Sequence, residues 1–228
     1  MIQNKIENII KNKDAIVGII GLGYVGLPLA LRFSKVGFKT FGFDIDVKKT
    51  KKLNDGKSYI SHISDDSILN ASKKGFKALS KFNKVKDMDV IIICVPTPIN
   101  DDKNPDLSFI KNTMKCISSF LRKNQLLILG STTYPGATEE EIVGFIEKMN
   151  MSIKTTENKF SFGKNFFIGY SPEREDPGNK NFSIRNIPKI VSGHTARCSL
   201  VTQLLYDKIT DETHLVSSTK VAEMVKVL

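Results

Sequence analysis

The stretch 15–46, AIVGIIGLGYVGLPLALRFSKVGFKTFGFDID, decides the fold of this chain. It opens with an apolar run, Ile16–Ile20, that does not alternate with polar residues, as is typical of a strand buried on both faces. A helical pattern follows over 24–36, and Gly37 is placed to end it. A second strand, Lys39–Phe43, comes next. Strand, helix and strand in this order predict the first unit of a parallel sheet.

Three glycines with the spacing G-x-G-x-x-G lie between the first strand and the helix. Gly21 permits a tight turn, Gly23 lets a pyrophosphate approach the backbone, and Gly26 lets the helix pack closely on the strand. Backbone N–H groups at the start of the helix then face the phosphates, where the helix dipole favours negative charge. The motif in this context predicts a dinucleotide site; the alternative is a structural turn without a ligand.

An aspartate at the end of the second strand indicates which dinucleotide is bound. Asp44 lies about twenty residues beyond the glycines, where a carboxylate can accept hydrogen bonds from the adenosine ribose. Its charge would repel the 2′-phosphate of NADP, so NAD is the expected cofactor. Lys48 and Lys49 follow closely and weaken this inference slightly, although a solvated helix face explains Lys49 equally well.

The rest of the chain continues the alternation of strands and helices. Further strands are expected over 90–95, 126–129, 166–170 and 190–191, and helices over 107–121, 137–149 and 195–206. Asp106 and Thr138 are the expected N-caps of the first two of these helices, and 150–164 reads as a surface loop. This order predicts an α/β fold with a Rossmann-like, doubly wound and mostly parallel sheet.

Three segments rich in proline, glycine and hydroxyl groups follow predicted strands. They are VPTPIN at 95–100, GSTTYPG at 130–136 and SPEREDPGN at 171–179. Ordinary turns favour the same residue types. Ligands of such sheets bind beyond the carboxyl ends of the strands, however, and the glycine turn lies at that edge as well. We therefore expect the three segments to line one site.

Composition excludes several functional classes. The hydrophobic content of 40% and charged content of 25% are ordinary for a globular protein, and no apolar run approaches the roughly eighteen residues of a membrane helix. The start of the chain lacks the apolar segment of a signal peptide, so the cytoplasm is the expected location. The net charge of +10 comes from dispersed lysines without an aromatic platform, which argues against nucleic acid as a partner.

Cysteine and histidine give no sign of a metal site. Cys94, Cys116 and Cys198 lie far apart, and the first two are expected to be buried hydrophobic residues. The three histidines, His62, His194 and His214, are isolated in sequence from acidic or cysteine clusters. No metal is expected.

The two ends of the chain read as helices. Residues 1–14 have isoleucines at helical spacing and form an expected N-terminal extension. At the other end, Ser218 or Thr219 can cap a helix with the apolar face Val221, Met224, Val225 and Leu228. No helix-ending residue follows, so we expect the chain to be a fragment of a longer polypeptide.

With GLGYVGLPLA, VPTPIN, STTYPG, SPEREDPGN and AEMVKVL in this order, the chain resembles the UDP-glucose/GDP-mannose dehydrogenase family. SPEREDPGN followed by FSIRNIPKIVSG resembles the branch that oxidises UDP-N-acetylglucosamine. The resemblance implies two successive NAD-dependent oxidations at C6 of a nucleotide sugar, from alcohol to carboxylate, for polysaccharide precursors. It also implies an NAD-binding domain over 15–216, the start of a long central helix over 217–228, and an absent C-terminal substrate domain. UDP-N-acetylmannosamine, UDP-glucose and a non-catalytic NAD-binding module are the alternatives.

The resemblance assigns roles to individual residues. The family's cofactor positions match Gly21, Gly23, Tyr24, Val25, Gly26, Asp44, Lys49, Val95, Thr97, Pro98 and Thr132. Thr133 matches a threonine that hydrogen-bonds a catalytic water, and Glu173 matches the base in hydrolysis of a thioester intermediate. Lys226 matches a lysine that stabilises negative charge at the C6 oxygen. Glu173, Lys226 and Arg174, whose planar fork suits a phosphate or carboxylate, are the substrate-binding candidates.

Each catalytic role has an alternative. Glu173 could form a salt bridge with Arg174 or a neighbouring lysine, and Lys226 could lie on a solvated helix face. The family's nucleophilic cysteine and a partner asparagine would both follow Leu228, and none of the three cysteines here has the glycine-rich setting of that nucleophile. We therefore expect negligible NADH from the 228 residues alone. Family members dimerise through the central helix, so the full protein is an expected homodimer or higher oligomer.

Overall fold

A computed structural model describes residues 5–100, 103–173 and 184–227, and every structural statement below concerns these ranges. Their strands form one sheet in the order β3-β2-β1-β4-β5-β6-β7-β8. Neighbouring strands run parallel except β6 and β7, which are antiparallel. The strands are β1 Ile16–Ile20, β2 Lys39–Phe43, β3 Lys77–Leu79, β4 Val90–Ile93, β5 Gln125–Leu129, β6 Phe166–Tyr170, β7 Lys189–Gly193 and β8 Thr213–Leu215.

Helices cover both faces of this sheet. They are α1 Lys5–Lys11, α2 Gly26–Val36, α3 Val47–Asn54, α4 Asp65–Lys73, α5 Ser108–Ile117, α6 Gly144–Ser152, α7 Ala196–Tyr206 and α8 Thr219–Val227. A π-helical segment, Thr138–Val143, leads directly into α6. No helix in the described ranges is both long and apolar enough to cross a membrane.

Successive residues of the central strands contribute to two separate hydrophobic clusters. In β4, Val90 and Ile92 belong to one cluster, whereas Ile91 and Ile93 belong to the other. All four are buried, because each face of the sheet is covered by helices. This explains why the strand sequences are apolar without alternation. The predicted Rossmann-like, doubly wound and mostly parallel sheet is confirmed.

The stretch that decided the fold has nearly the predicted structure. β1 and β2 have the expected bounds, and α2 begins at Gly26, two residues later than the pattern indicated. Gly37 ends α2 with a φ of 105°, in the left-handed region that glycine adopts readily. Asp46 caps α3, since its side chain accepts hydrogen bonds from the N–H groups of Lys48 and Lys49.

Several other predicted boundaries were wrong by a few residues. β4 ends at Ile93 instead of Val95, and α5 ends at Ile117, after which Ser118–Phe120 forms a 3-10 turn. Asp106 does accept a hydrogen bond from the N–H of Ser108, although Leu107 is the residue at the N-cap. The expected loop 150–164 begins inside α6 and includes a 3-10 turn, Thr156–Asn158.

Thr138 is not the helix cap that the sequence indicated. It is the first residue of the π-helical segment, and its hydroxyl donates to Oε1 of Glu223 at 2.6 Å. The prediction was wrong because the partner lies on α8, far away in sequence. Cys116 was also wrongly expected to be buried, since it lies on the exposed side of α5.

The apolar face expected for α8 lies largely in solvent. Val221 and Met224 are 41% and 45% exposed, and Leu228 lies outside the described residues. The side of α8 that packs on the domain carries Thr219, Ala222 and Glu223 instead. Two of these three are polar, so hydrogen bonds contribute to holding α8 in place.

Candidate cofactor and active site

The carboxyl ends of four parallel strands, β1, β4, β5 and β6, meet at one edge of the sheet. Two of the segments that follow these strands are joined by direct hydrogen bonds. The Thr97 hydroxyl donates to the carbonyl of Thr132 at 2.6 Å, and the Ser131 hydroxyl donates to the carbonyl of Val95 at 2.7 Å. The glycine turn lies beside them, because Gly21 contacts the end of β4.

Contacts within the fold require two of the three glycines of the turn, Gly21 and Gly26. Gly21 has a φ of 90°, and an added Cβ would lie 2.5 Å from the carbonyl oxygen of Cys94. A Cβ on Gly26 would overlap the carbonyl of Gly21. A Cβ on Gly23, in contrast, would meet no heavy atom within 4 Å. This open space in front of the α2 N-terminus fits an incoming diphosphate.

Asp44 stabilises the glycine turn. Its Oδ2 accepts a hydrogen bond from the N–H of Leu22, and its Oδ1 accepts one from the N–H of Asp46, both at 2.9 Å. The residue is 9% exposed. Each carboxylate oxygen can accept two hydrogen bonds, so both oxygens keep capacity for ribose hydroxyls.

The remaining cofactor candidates surround the turn. Tyr24 is 59% exposed and its ring stacks on that of His62, with 6.0 Å between the centroids, whereas Val25 packs against the core. The Lys49 ammonium lies 5.7 Å from the ring centroid of Tyr59. Pro98 and Thr132 are exposed and Val95 is partly buried, all at the same edge of the sheet.

The hydroxyl of Thr133 is buried at this edge. The residue is 3% exposed, and its Oγ1 lies beside the Tyr170 hydroxyl but makes no hydrogen bond of regular geometry within the described ranges. A buried polar atom without a partner costs about 1–3 kcal/mol, so such an atom is typical of a place where a ligand or water binds. The neighbouring Tyr170 hydroxyl lies 3.4 Å from the carbonyl of Ser131, and burial raises the pKa of that hydroxyl well above its usual value.

Glu173 forms a buried ion pair. Its Oε2 lies 2.6 Å from the ammonium of Lys189, the first residue of β7, and the two side chains are 5% and 1% exposed. The same ammonium lies 3.5 Å from the carbonyl of Pro172 and 5.6 Å from the ring centroid of Tyr206. A salt bridge with Arg174 or a neighbouring lysine was the alternative considered for Glu173, and the structure shows one with Lys189. Arg174 lies outside the described residues.

The cysteines do not provide a nucleophile at this edge. Burial, reinforced by the charge of Glu173, raises the pKa of the Cys94 thiol to about 12, so this thiol stays protonated at neutral pH. Cys198 is buried as well, and Cys116 is exposed on α5. Within the described ranges, no group of three or more potential ligand residues could hold a metal ion.

Lys226 lies in the last turn of α8, and another residue of this helix, Glu223, joins the helix to the segment 130–138. Glu223 is fully buried and accepts hydrogen bonds from the N–H of Gly136 at 2.5 Å and the N–H of Thr138 at 2.8 Å, besides the Thr138 hydroxyl. Gly136 ends the segment that carries Thr133. Glu223 therefore fixes α8, and with it Lys226, to that segment.

A second carboxylate reinforces the same junction. Oε2 of Glu139 lies 2.7 Å from Nδ1 of His194. Oε1 of Glu139 accepts a hydrogen bond from the Thr219 hydroxyl at 3.1 Å. His194 has no acidic cluster beside it in the sequence, but in the fold it lies next to the carboxylate of Glu139. Tyr59, Lys189 and Glu223 escaped the sequence-based search. For Lys189, a charged residue at the start of the largely apolar strand β7 was the available signal.

Comparison with known proteins places this geometry in context. Residues 15–210 match the profile described as "UDP-glucose/GDP-mannose dehydrogenase family, NAD binding domain". The chain is 37% identical over 213 residues to a UDP-N-acetyl-D-glucosamine 6-dehydrogenase of Salmonella typhi, covering 93% of this chain and 48% of that protein. It is 38% identical over 217 residues to the Pseudomonas aeruginosa protein of the same name, covering 95% of this chain and 49% of that protein.

Solved structures give the same result. The UDP-N-acetyl-mannosamine dehydrogenase Cap5O from Staphylococcus aureus superimposes with a TM-score of 0.83 at 27% identity, covering 93% of this chain and 50% of that one. A GDP-mannose dehydrogenase from Pseudomonas aeruginosa, at 24% identity and a TM-score of 0.80, shares the fold over 92% of this chain and 48% of that one. The chain thus spans about half the length of the curated relatives it matches.

Proposed function

Because the chain belongs to the UDP-glucose/GDP-mannose dehydrogenase family and carries its NAD-binding domain, we propose that the full protein is an NAD-dependent UDP-sugar 6-dehydrogenase. The observation that carries this proposal is the union of two features at one sheet edge. The glycine turn with its open space at Gly23 lies beside the segment that carries the buried Thr133 hydroxyl, which makes no hydrogen bond of regular geometry within the described ranges. A cofactor cradle and a polar group suited to a water or substrate are thus adjacent.

The cofactor would be held by the turn and by the strand that follows α2. N–H groups at the start of α2 donate to the diphosphate, and Asp44 accepts from the adenosine ribose. Tyr24, Val25 and Lys49 line the adenosine and diphosphate side. Thr132 and the segment 95–98, with Val95, Thr97 and Pro98, line the side of the nicotinamide ribose. Bound NAD supplies an acceptor for the hydride that leaves C6 of the sugar.

Three residues of this chain would act on the sugar. Thr133 holds a water in place through its hydroxyl, and Glu173 takes up a proton from that water when the acyl intermediate is hydrolysed. The ammonium of Lys226 stabilises negative charge on the C6 oxygen. Lys189 holds the Glu173 side chain in place, since its ammonium lies 2.6 Å from Oε2. Arg174 is our candidate for a substrate phosphate or carboxylate.

UDP-N-acetylglucosamine is the substrate we propose, and the product would serve surface polysaccharide synthesis. Support comes from two relatives of 37% and 38% identity that bear the name of that activity. UDP-N-acetylmannosamine is the principal alternative, since a dehydrogenase of that name in Yersinia pestis is 30% identical. We also propose a cytoplasmic homo-oligomer.

The test is turnover by the protein expressed from its complete reading frame. With NAD and each of the three UDP-sugars, we expect NADH absorbance to rise with UDP-N-acetylglucosamine and to reach two NADH per sugar. Glu173→Gln should lower the rate by roughly 100-fold or more while NAD still binds, because a general base is lost. Glu157→Gln, an exposed carboxylate elsewhere, is the matched control. NAD binding without turnover of any UDP-sugar would support a non-catalytic module instead.

A further inference from the structure

The peptide of Leu22, in the middle of the glycine turn, is held from three sides. Its N–H donates to Asp44, as described above, and its carbonyl accepts a hydrogen bond from the Tyr59 hydroxyl at 2.5 Å. Its side chain is fully buried beneath β2, where a Cβ on Gly42 would lie 2.6 Å from Leu22 Cδ2. A glycine at position 42 of β2 therefore makes room for Leu22.

Tyr59 itself is well anchored. It lies in the connection between α3 and α4, where the N–H of Ser58 donates to Asp65 Oδ1 at 2.7 Å and Ile60 is buried. The Tyr59 ring packs against the core, and the Lys49 ammonium lies over this ring, 5.7 Å from its centroid. Burial, reinforced by the charges of Asp44 and Asp46, raises the pKa of the Tyr59 hydroxyl, so it remains a hydrogen-bond donor at neutral pH.

We infer that Tyr59 is a positioning residue for the diphosphate of the cofactor, acting through the Leu22 carbonyl. This inference rests on the proposed NAD-binding function. Glycine-flanked segments lose more conformational freedom on ordering than others. Tyr59 orders the turn before the ligand arrives, so the N–H groups from Gly23 onward are already in place for the diphosphate. Less conformational entropy is then lost when the cofactor binds.

A ligand series separates this role from general support of the fold. Tyr59→Phe should lower the affinity of the chain for NAD and for ADP-ribose by about 3- to 15-fold, as expected for the loss of one net hydrogen bond. Adenosine, which has no diphosphate, should bind within twofold of its affinity for the unaltered chain. Calorimetry measures the affinities for NAD and ADP-ribose, and NMR titration measures the affinity for adenosine. Tyr134→Phe is the matched control, since it removes another tyrosine hydroxyl bond, to Glu140 at 2.6 Å, and should leave all three affinities unchanged.

A second readout does not depend on any ligand. In Tyr59→Phe, amide hydrogen exchange at Leu22 and Gly23 should accelerate at least fivefold, while exchange in β5 stays as in the unaltered chain. Unchanged NAD affinity, equal weakening of NAD and adenosine, or unchanged exchange at both amides would each overturn the inference. An unaltered chain that fails to bind NAD would contradict the proposed function instead, and the exchange measurement would still decide the role of Tyr59.

Discussion

Replacing Lys189 by methionine is expected to lower the free energy of unfolding by about 3–5 kcal/mol. The substitution removes the positive charge 2.6 Å from Glu173, whose side chain is 5% exposed, and leaves a carboxylate in a site that water hardly reaches. A buried charge that loses its partner is among the most destabilising single changes. Urea unfolding of the two proteins, followed by circular dichroism, measures the difference.

Two further variants make this test specific. Lys84→Met breaks an exposed pair with Asp87 at 3.1 Å and should cost no more than about 1 kcal/mol. The double variant Lys189→Met, Glu173→Gln removes both charges and should regain much of the stability lost by Lys189→Met alone. If Lys189→Met proved no more destabilising than Lys84→Met, the buried ion pair would not have the importance assigned to it here.

Glu223→Ala is expected to destabilise the chain by about 2–5 kcal/mol, because two buried N–H groups and one hydroxyl lose their acceptor together. Thr138→Val removes the hydroxyl contact alone and should cost about 1 kcal/mol. In the full protein, Glu223→Gln should lower kcat for the UDP-sugar by about tenfold or more while the KM for NAD changes little, since the residue positions Lys226 and does not contact the cofactor turn.

The control for this pair of variants is Glu157→Ala, which removes an exposed carboxylate and should change stability by less than about 0.5 kcal/mol. Urea unfolding gives the stabilities, and steady-state kinetics give the change in kcat. A Glu223→Gln enzyme with unaltered kcat would refute the positioning of Lys226, even if Glu223→Ala were unstable as expected.

The part of the structure that the sequence predicted correctly depends on local signals. β1, β2 and the end of α2 at Gly37 follow from an apolar run, a glycine and a helical period within 15–46. These signals act over a few residues, so they can be recognised in the chain itself. The meeting of the segments 95–100 and 130–136 at the carboxyl edge followed from a topological rule that holds for parallel sheets generally, whereas 174–179 lie outside the described residues.

The incorrect predictions concern contacts between residues distant in sequence. Thr138 is of a residue type that is common at helix N-caps, yet its hydroxyl donates to Glu223 on α8. No local sequence pattern specifies where α8 docks. A salt bridge between Glu173 and a lysine was among the alternatives, but the sequence did not identify the lysine. Its partner Lys189 belongs to β7, which runs antiparallel to β6 and so returns to the same edge. Tyr59 carries no motif, and only its contact with Leu22 reveals it.

The most direct test of the account is NAD binding to the 228-residue chain. The glycine turn and Asp44 should hold one NAD per chain, detected as heat by calorimetry and as a rise in melting temperature. NADP should bind at least about tenfold more weakly, because its 2′-phosphate meets the carboxylate of Asp44. A folded chain that shows neither heat nor a rise in melting temperature with saturating NAD would contradict the account.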